Sequence, residues 1–214
     1  MKNVLIVGAG RLGLYTAKKL HQLGHHVMVV DKKEERINRI LPYVVRAEIG
    51  DSTDESFLSS IGVDDYDLCV VAIGNDFLAC LETTFMLKEL GAKVIVSRAT
   101  SFSQEKFLLR NGASSVVFPE RELGDWVAIR FSNDNISNYI ELTDGYSLVE
   151  VKVPSQWNGK RVGELDVRKK HGLNILGVNK NRMDMNVNSD TLLEEGSTML
   201  VLGKYTDIAK VFKL

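Results

Sequence analysis

Cysteine is nearly absent: the 214 residues hold only two, Cys69 and Cys80. Two are too few for a disulfide scaffold or a cysteine-rich zinc site. Both lie in apolar surroundings and read as buried thiols of a reducing compartment. Proline numbers only three and aromatic residues make up 7% of the chain, so there is no proline-rich linker or aromatic-rich binding tract. An excess of one charge is missing too. Lys plus Arg is 27 and Asp plus Glu is 28, a net charge of −1. That balance excludes the basic footprint of a nucleic-acid binder, and no nucleic-acid partner is expected. No apolar run approaches the roughly 18 residues needed to cross a bilayer. The first residues lead directly into an apolar run without the layout of a signal peptide, so a cytoplasmic protein is expected.

What is present is an ordinary globular mix, 44% apolar and 26% charged. The first part of the chain alternates two patterns. Short apolar runs occur at Val4–Val7, His26–Val30, Val44–Ile49, Leu68–Ile73, Lys93–Val96 and Ser115–Phe118. Segments of helical spacing lie between them, at Leu12–Leu23, Asp31–Leu41, Thr53–Ser60, Asn75–Leu90 and Ser103–Arg110, followed by Glu120–Phe131. This alternation predicts an α/β, Rossmann-like doubly wound parallel sheet. Its strands are apolar throughout, as expected where helices cover both faces. Leu123, Val127 and Phe131 form a stripe on the last of these helices, long enough to pack against something.

The polar break Ser132-Asn133-Asp134-Asn135 marks a boundary. Residues 1–134 are then a nucleotide-binding domain with a crossover helix, and 135–214 a small α+β domain. In the latter, strands are expected at Tyr139–Leu142, Ser147–Val153, Asn174–Asn179, Met183–Val187 and Thr198–Leu202. Helices are expected at Val162–Lys170 and Thr206–Phe212. So short a segment buries a modest core and is suited to leaning on a second copy.

Gly8-Ala9-Gly10-Arg11-Leu12-Gly13 is G-x-G-x-x-G between a predicted strand and a predicted helix. Gly8 makes the tight turn, Gly10 lets a pyrophosphate approach the backbone, and Gly13 lets the helix pack closely. The exposed N–H groups and the helix dipole favour phosphate. Asp31 ends the second apolar run, where a carboxylate can accept from a ribose diol. With Lys32 beside it and no basic pocket evident, that acid disfavours a 2′-phosphate. Arg11 is either an exposed helix residue or reaches a terminal phosphate, in its own subunit or a neighbour. Asp51, after Gly50 and before Ser52, either accepts from an adenine amino group or caps the next helix. Ala72-Ile73-Gly74-Asn75 ends the fourth run; Gly74 permits close passage of ribose or base, and Asn75 either bonds the ligand or caps a helix. Arg98 is a second phosphate candidate or half of a surface ion pair.

Chemistry-bearing groups are otherwise sparse. His21, His25 and His26 lie at the far end of the first helix from the cleft, and His171 sits among lysines. There is no nucleophile elbow, metal triad or Walker lysine. A fold that binds a nucleotide without consuming it acts through differential affinity for two shapes. Three rivals are an NAD-dependent oxidoreductase, an NAD(H)-binding redox regulator and a plain dimeric scaffold. The first would need an acid–base residue and the second a basic recognition helix.

The series Val4-Leu5-Ile6-Val7-Gly8-Ala9-Gly10-Arg11-Leu12-Gly13, Val29-Val30-Asp31, Gly50-Asp51, Val71-Ala72-Ile73-Gly74-Asn75-Asp76, Arg98-Ala99 and Phe118-Pro119-Glu120 resembles the regulatory subunits of bacterial Trk/Ktr potassium transport systems. These pair an RCK (regulator of potassium conductance) N-terminal domain with a small RCK C-terminal domain. The resemblance covers the whole chain and is nearest the single-repeat Ktr type. It implies a cytoplasmic gating subunit that forms dimers and an octameric ring beneath a membrane potassium channel or transporter. It also implies ATP or ADP as the switching ligand, with NAD or NADH in some members. Glu120 then corresponds to an acid that helps hold Mg²⁺ or another cation near the phosphates; read from the residues alone, it is equally a helix-start residue favoured by the dipole. In the second domain the resemblance implies cyclic di-AMP at a dimer interface, with Asp166 on an adenine amino group, Arg168 on a phosphate and Ile175 against the base. The sequence departs from that pattern at Met185-Asn186-Val187, where several relatives carry a proline and Val187 stands here.

Overall fold

A computed structural model describes all residues, Met1–Leu214. The chain forms two compact units, Met1–Glu120 and Arg121–Leu214. No helix is long and apolar enough to cross a membrane.

The first unit is a six-stranded sheet: β1 (Asn3–Val7), β2 (His26–Asp31), β3 (Arg46–Ile49), β4 (Leu68–Val71), β5 (Ile95–Arg98) and β6 (Ser115–Val117). Its order is β3-β2-β1-β4-β5-β6, and all neighbours are parallel. Five helices alternate with the strands: α1 (Arg11–Gln22), α2 (Glu34–Ile40), α3 (Glu55–Ile61), α4 (Phe77–Glu89) and α5 (Phe102–Arg110). Because side chains alternate along a strand, β1 feeds two cores. Val4 and Ile6 join Ala17 of α1 and Ile37 and Ile40 of α2. Leu5 and Val7 join Leu58 of α3, Cys80 and Leu87 of α4 and Leu108 of α5. Both faces are covered, which is why the strand is apolar at every interior position. The chain's direction across the sheet reverses between β1 and β4, the switch point where a crevice opens in doubly wound sheets.

Local signals decide the ends of the elements. Asp54 caps α3, accepting from the amides of Ser56 at 2.9 Å and Phe57 at 3.4 Å. Asp76 caps α4 through the Ala79 amide at 3.0 Å. Gly24 and Gly62 take the left-handed conformation after α1 and α3, as expected of glycine at those places. On α4 the buried face is Ala79, Cys80, Thr83, Thr84 and Leu87, while Leu78 and Phe85 are exposed. Thr83 and Thr84 remain buried because each hydroxyl has a partner at 2.8 Å, Ser52 and Ser97 respectively. Desolvation pushes the thiols of Cys69 and Cys80 up to about 12 and about 11.

Helix α6 (Pro119–Ser132) buries none of its residues. Leu123, Val127 and Phe131 are all exposed, and the Phe131 ring meets the Trp126 ring of the same helix edge to face.

The second unit is an antiparallel sheet of order β10-β9-β11-β8-β7: β7 (Ile136–Glu141), β8 (Tyr146–Lys152), β9 (Asn174–Asn179), β10 (Met183–Asp184) and β11 (Thr198–Lys204). One face is buried, so β8 and β11 alternate in burial as β1 does not. Val149 and Val151 lie opposite Val201 and Met199. They meet Ile208 and Phe212 of α9 (Tyr205–Phe212) in one core. Two expectations need correction. The helix expected over Val162–Lys170 is two, α7 (Val162–Leu165) and α8 (Val167–His171), separated by Asp166 in the left-handed region at φ 48°. The strand expected over Met183–Val187 stops at Asp184, whose carboxylate accepts from the Asn186 amide at 2.9 Å and turns the chain.

Candidate functional site

The crevice at the switch point holds a cavity of about 500 Å³. Its floor is the turn from β1 into α1. Gly8 adopts φ +101°, and a Cβ there would lie 3.1 Å from the Ala72 carbonyl carbon, so the turn requires glycine. A Cβ on Gly13 would collide with the Gly8 carbonyl oxygen, which makes Gly13 the point where α1 closes on the turn. Gly10 differs: a Cβ there meets no atom of the chain within 4 Å, and Gly10 lines the cavity. Its missing side chain leaves room for something outside the chain.

Of the residues singled out in the sequence, Gly8, Ala9, Gly10, Arg11, Asp31, Lys32, Ser52, Ala72, Ile73, Gly74, Asn75 and Arg98 line this one cavity. Leu12, Gly13, Asp51 and Glu120 do not. Leu12 packs with the core beneath α1. Asp51 closes a turn instead of capping α3, accepting from the Thr53 amide at 2.9 Å and hydroxyl at 2.7 Å. The Lys32 ammonium, 2.9 Å away, and then Thr53 hold its carboxyl down at about 2. Glu120 pairs with Arg98. Asn75 precedes the cap residue and does not itself cap α4.

Asp31 is buried and already engaged. It accepts from the amides of Ala9 at 2.8 Å and Lys33 at 2.9 Å, and from Arg36 Nη1 at 3.3 Å. A carboxylate offers about four acceptor positions, so most of its capacity locks the glycine turn to β2. Ser52 similarly commits its hydroxyl to Thr83.

Lys33, Glu35, Arg36 and Arg39, beyond the residues singled out in the sequence, also line the cavity. Their signal was the i, i+3 spacing of Lys33, Arg36 and Arg39, which sets three cations on one side of the helix entry. The expectation of an acid without a basic pocket is thereby corrected. Arg36 is tied to Asp31 at 3.3 Å and Arg39 to Glu35 at 4.0 Å, while Lys33 and Arg11 have no ion pair. The cavity thus has a glycine-and-amide floor and a largely cationic wall, a chemistry matched to a polyanion.

In the second unit, Arg168 is exposed on α8 and Asp166 sits at the break between α7 and α8. Ile175 and Val187 are half-buried against the core. No group of three or more His, Cys, Asp or Glu side chains is placed to hold a metal ion.

The TrkA-N domain family matches residues 4–119, and the TrkA-C domain family matches residues 147–214. The chain belongs to the TrkA/Ktr family. It is 34% identical over 213 residues to the Ktr system potassium uptake protein C of Bacillus subtilis (strain 168), spanning 99% of this chain and 96% of that protein. Ktr system potassium uptake protein A of the same organism is 33% identical over 211 residues, with 98% and 95% covered. Among solved structures, the GsuK RCK domain superposes with a TM-score of 0.69 at 21% identity, covering 100% of this chain and 47% of that one. The GsuK channel gives 0.70 at 21% identity over 98% and 38%. These two establish a shared fold. TrkA/Ktr proteins of this kind are regulatory and non-catalytic.

Proposed function

We propose that this TrkA/Ktr protein is the cytoplasmic, nucleotide-binding gating subunit of a potassium uptake channel or transporter, switched by ATP and ADP. The observation that carries the reading is the cavity at the β1–β4 switch point, floored by the Gly8–Gly13 turn and walled by Arg11, Lys33 and Arg98. Adenine and ribose belong at the Asp31 side and phosphates over the amides of α1. Solved GsuK structures carry ADP in one case and NAD in another, which supports a nucleotide here and keeps NAD(H) as the second reading.

Switching requires the two ligands to differ in affinity for two shapes. Full conversion takes about 5.5 kcal/mol, a sum within reach of several charge-assisted hydrogen bonds repeated over a ring. Arg11, exposed at the cavity mouth and without an ion pair, is the side chain we assign to the terminal phosphate, in its own subunit or across a dimer. Glu120 is assigned to Mg²⁺ or another cation beside the phosphates. The exposed Leu123, Val127 and Phe131 of α6 supply the apolar face for a homodimer, and dimers build the octameric ring under the membrane partner. Cyclic di-AMP is proposed for the second unit, through Asp166, Arg168, Ile175 and Val187.

Calorimetry on the full chain tests this with ATP, ADP, NADH, NAD and cyclic di-AMP, with and without Mg²⁺. ATP or ADP should bind in the micromolar range, with ATP selectively weakened in Arg11→Ala and cyclic di-AMP lost in Arg168→Ala. Binding of NADH alone, indifferent to Arg11, would replace the ATP switch with redox sensing.

A further inference from the structure

Arg98 has a seat that its role as a cavity wall does not explain. Its side chain is only 17% exposed, although it ends β5 at the mouth of the crevice. The guanidinium lies against Gly74, where a Cβ would collide with Nη1. Nη2 donates to Glu120 in the first turn of α6. Nε is buried without any acceptor. The Glu120 partner is delivered by the fold: Arg98 pairs with Val117 across β5 and β6, and Glu120 follows three residues later.

A guanidinium presents five donors in a planar fork suited to bidentate oxyanions. Here one carboxylate uses one arm of it, and a buried donor is left over, an arrangement a second acceptor would improve. The nearest space for such an acceptor is the cavity that Arg98 itself lines. We propose that Arg98 is an exchangeable guanidinium: paired with Glu120 when the cavity is empty, and turned onto a ligand phosphate when it is filled. The proposal rests on the nucleotide reading above and adds the group that connects the ligand to α6. In the filled state the Glu120 carboxylate loses its cation beside an anionic ligand.

The test is a double-mutant cycle on the full chain, read by calorimetry with ATP in the presence of a chelator and with adenosine as the phosphate-free probe. Unfolding midpoints of every variant are measured alongside. Glu120→Gln frees Arg98 and should tighten ATP by about fivefold, the scale of a partly exposed ion pair. In an Arg98→Gln background the same change should have no effect, and adenosine should bind all four chains alike. If Arg98→Gln fails to fold, Arg98→Met takes its place, since it keeps the length of the side chain and has neither charge nor donor. An equal gain in both backgrounds would mean that Glu120 simply repels phosphate, and the exchange would be refuted. ATP failing to bind the unaltered chain would remove the nucleotide reading and this proposal together, whereas ATP binding with equal gains removes this proposal alone.

Discussion

Gly10→Ala separates the ligand from the fold more cleanly than any other substitution in the glycine turn. Gly10 has φ −68° and ψ −168°, an extended conformation open to any residue. Its missing Cβ would touch nothing in the chain. On stability, two small effects oppose each other. Alanine reduces the freedom of the unfolded chain, worth about 0.4–1 kcal/mol. Gly10 is also the N-cap of α1, and alanine is a poorer cap than glycine by about the same amount. The unfolding free energy should therefore stay within about 0.5 kcal/mol of the original. On binding, the new methyl occupies the space a phosphate needs to reach the backbone. Overpacking of that kind costs about 1–3 kcal/mol, which converts to a roughly 5- to 150-fold loss of ATP affinity. Urea denaturation and calorimetry on the same preparation give both numbers. An unchanged ATP affinity would show that no phosphate passes Gly10. A loss of stability well above 1 kcal/mol would show that the open space beside Gly10 is not open. Gly13→Ala is the contrasting control: its Cβ meets the Gly8 carbonyl, so the fold itself should weaken by about 1–2 kcal/mol after the gain in helix propensity is counted.

Leu108→Ala, fully buried in the core between the sheet and α5, should cost about 2–5 kcal/mol in urea denaturation. Asp54→Ala removes the cap of α3 and should lower the urea midpoint. Asp51, held at about 2 by Lys32 and Thr53, contributes stability that is fully present above the ordinary carboxylate value and lost as pH falls through about 2. In Lys32→Ala that contribution should be smaller and its loss complete at a higher pH in an acid titration, a difference that shrinks with added salt because the pair is half exposed. Replacing Leu123 and Phe131 with aspartate should lower the mass in solution by light scattering while leaving the unfolding midpoint of the first unit near its original value.

The parallel half was legible because its physics is local and repeated. Each apolar run, each glycine after a helix and the Gly8–Gly13 turn point to the same alternating architecture. Ends were harder where neighbouring residues share one talent. Asp51, Ser52, Thr53 and Asp54 can all cap a helix, and only the backbone path selects Asp54. Asp166 and Asp184 look unremarkable in a helix-like and a strand-like stretch, yet each bends the chain, one by a left-handed backbone and one by an Asx turn. At the site, the residues adjoining β-strand ends were found because fold topology alone brings them together. The competition for Asp31 by Ala9, Lys33 and Arg36 was not, nor was Glu120 as the partner in the ion pair weighed for Arg98. Those arrangements depend on side-chain directions that no periodicity reports.

The depth of Cys69 and Cys80 has a practical consequence. With thiols pushed up to about 12 and about 11, both remain protonated and shielded at neutral pH, where alkylating reagents need an accessible thiolate. The native chain therefore serves as its own silent background for site-directed labelling. A single cysteine introduced on the exposed face of α6, or at Arg168, can carry a fluorophore or spin label without stripping the core of its own sulfur. Distances between paired labels can then follow each nucleotide addition in the otherwise unaltered protein.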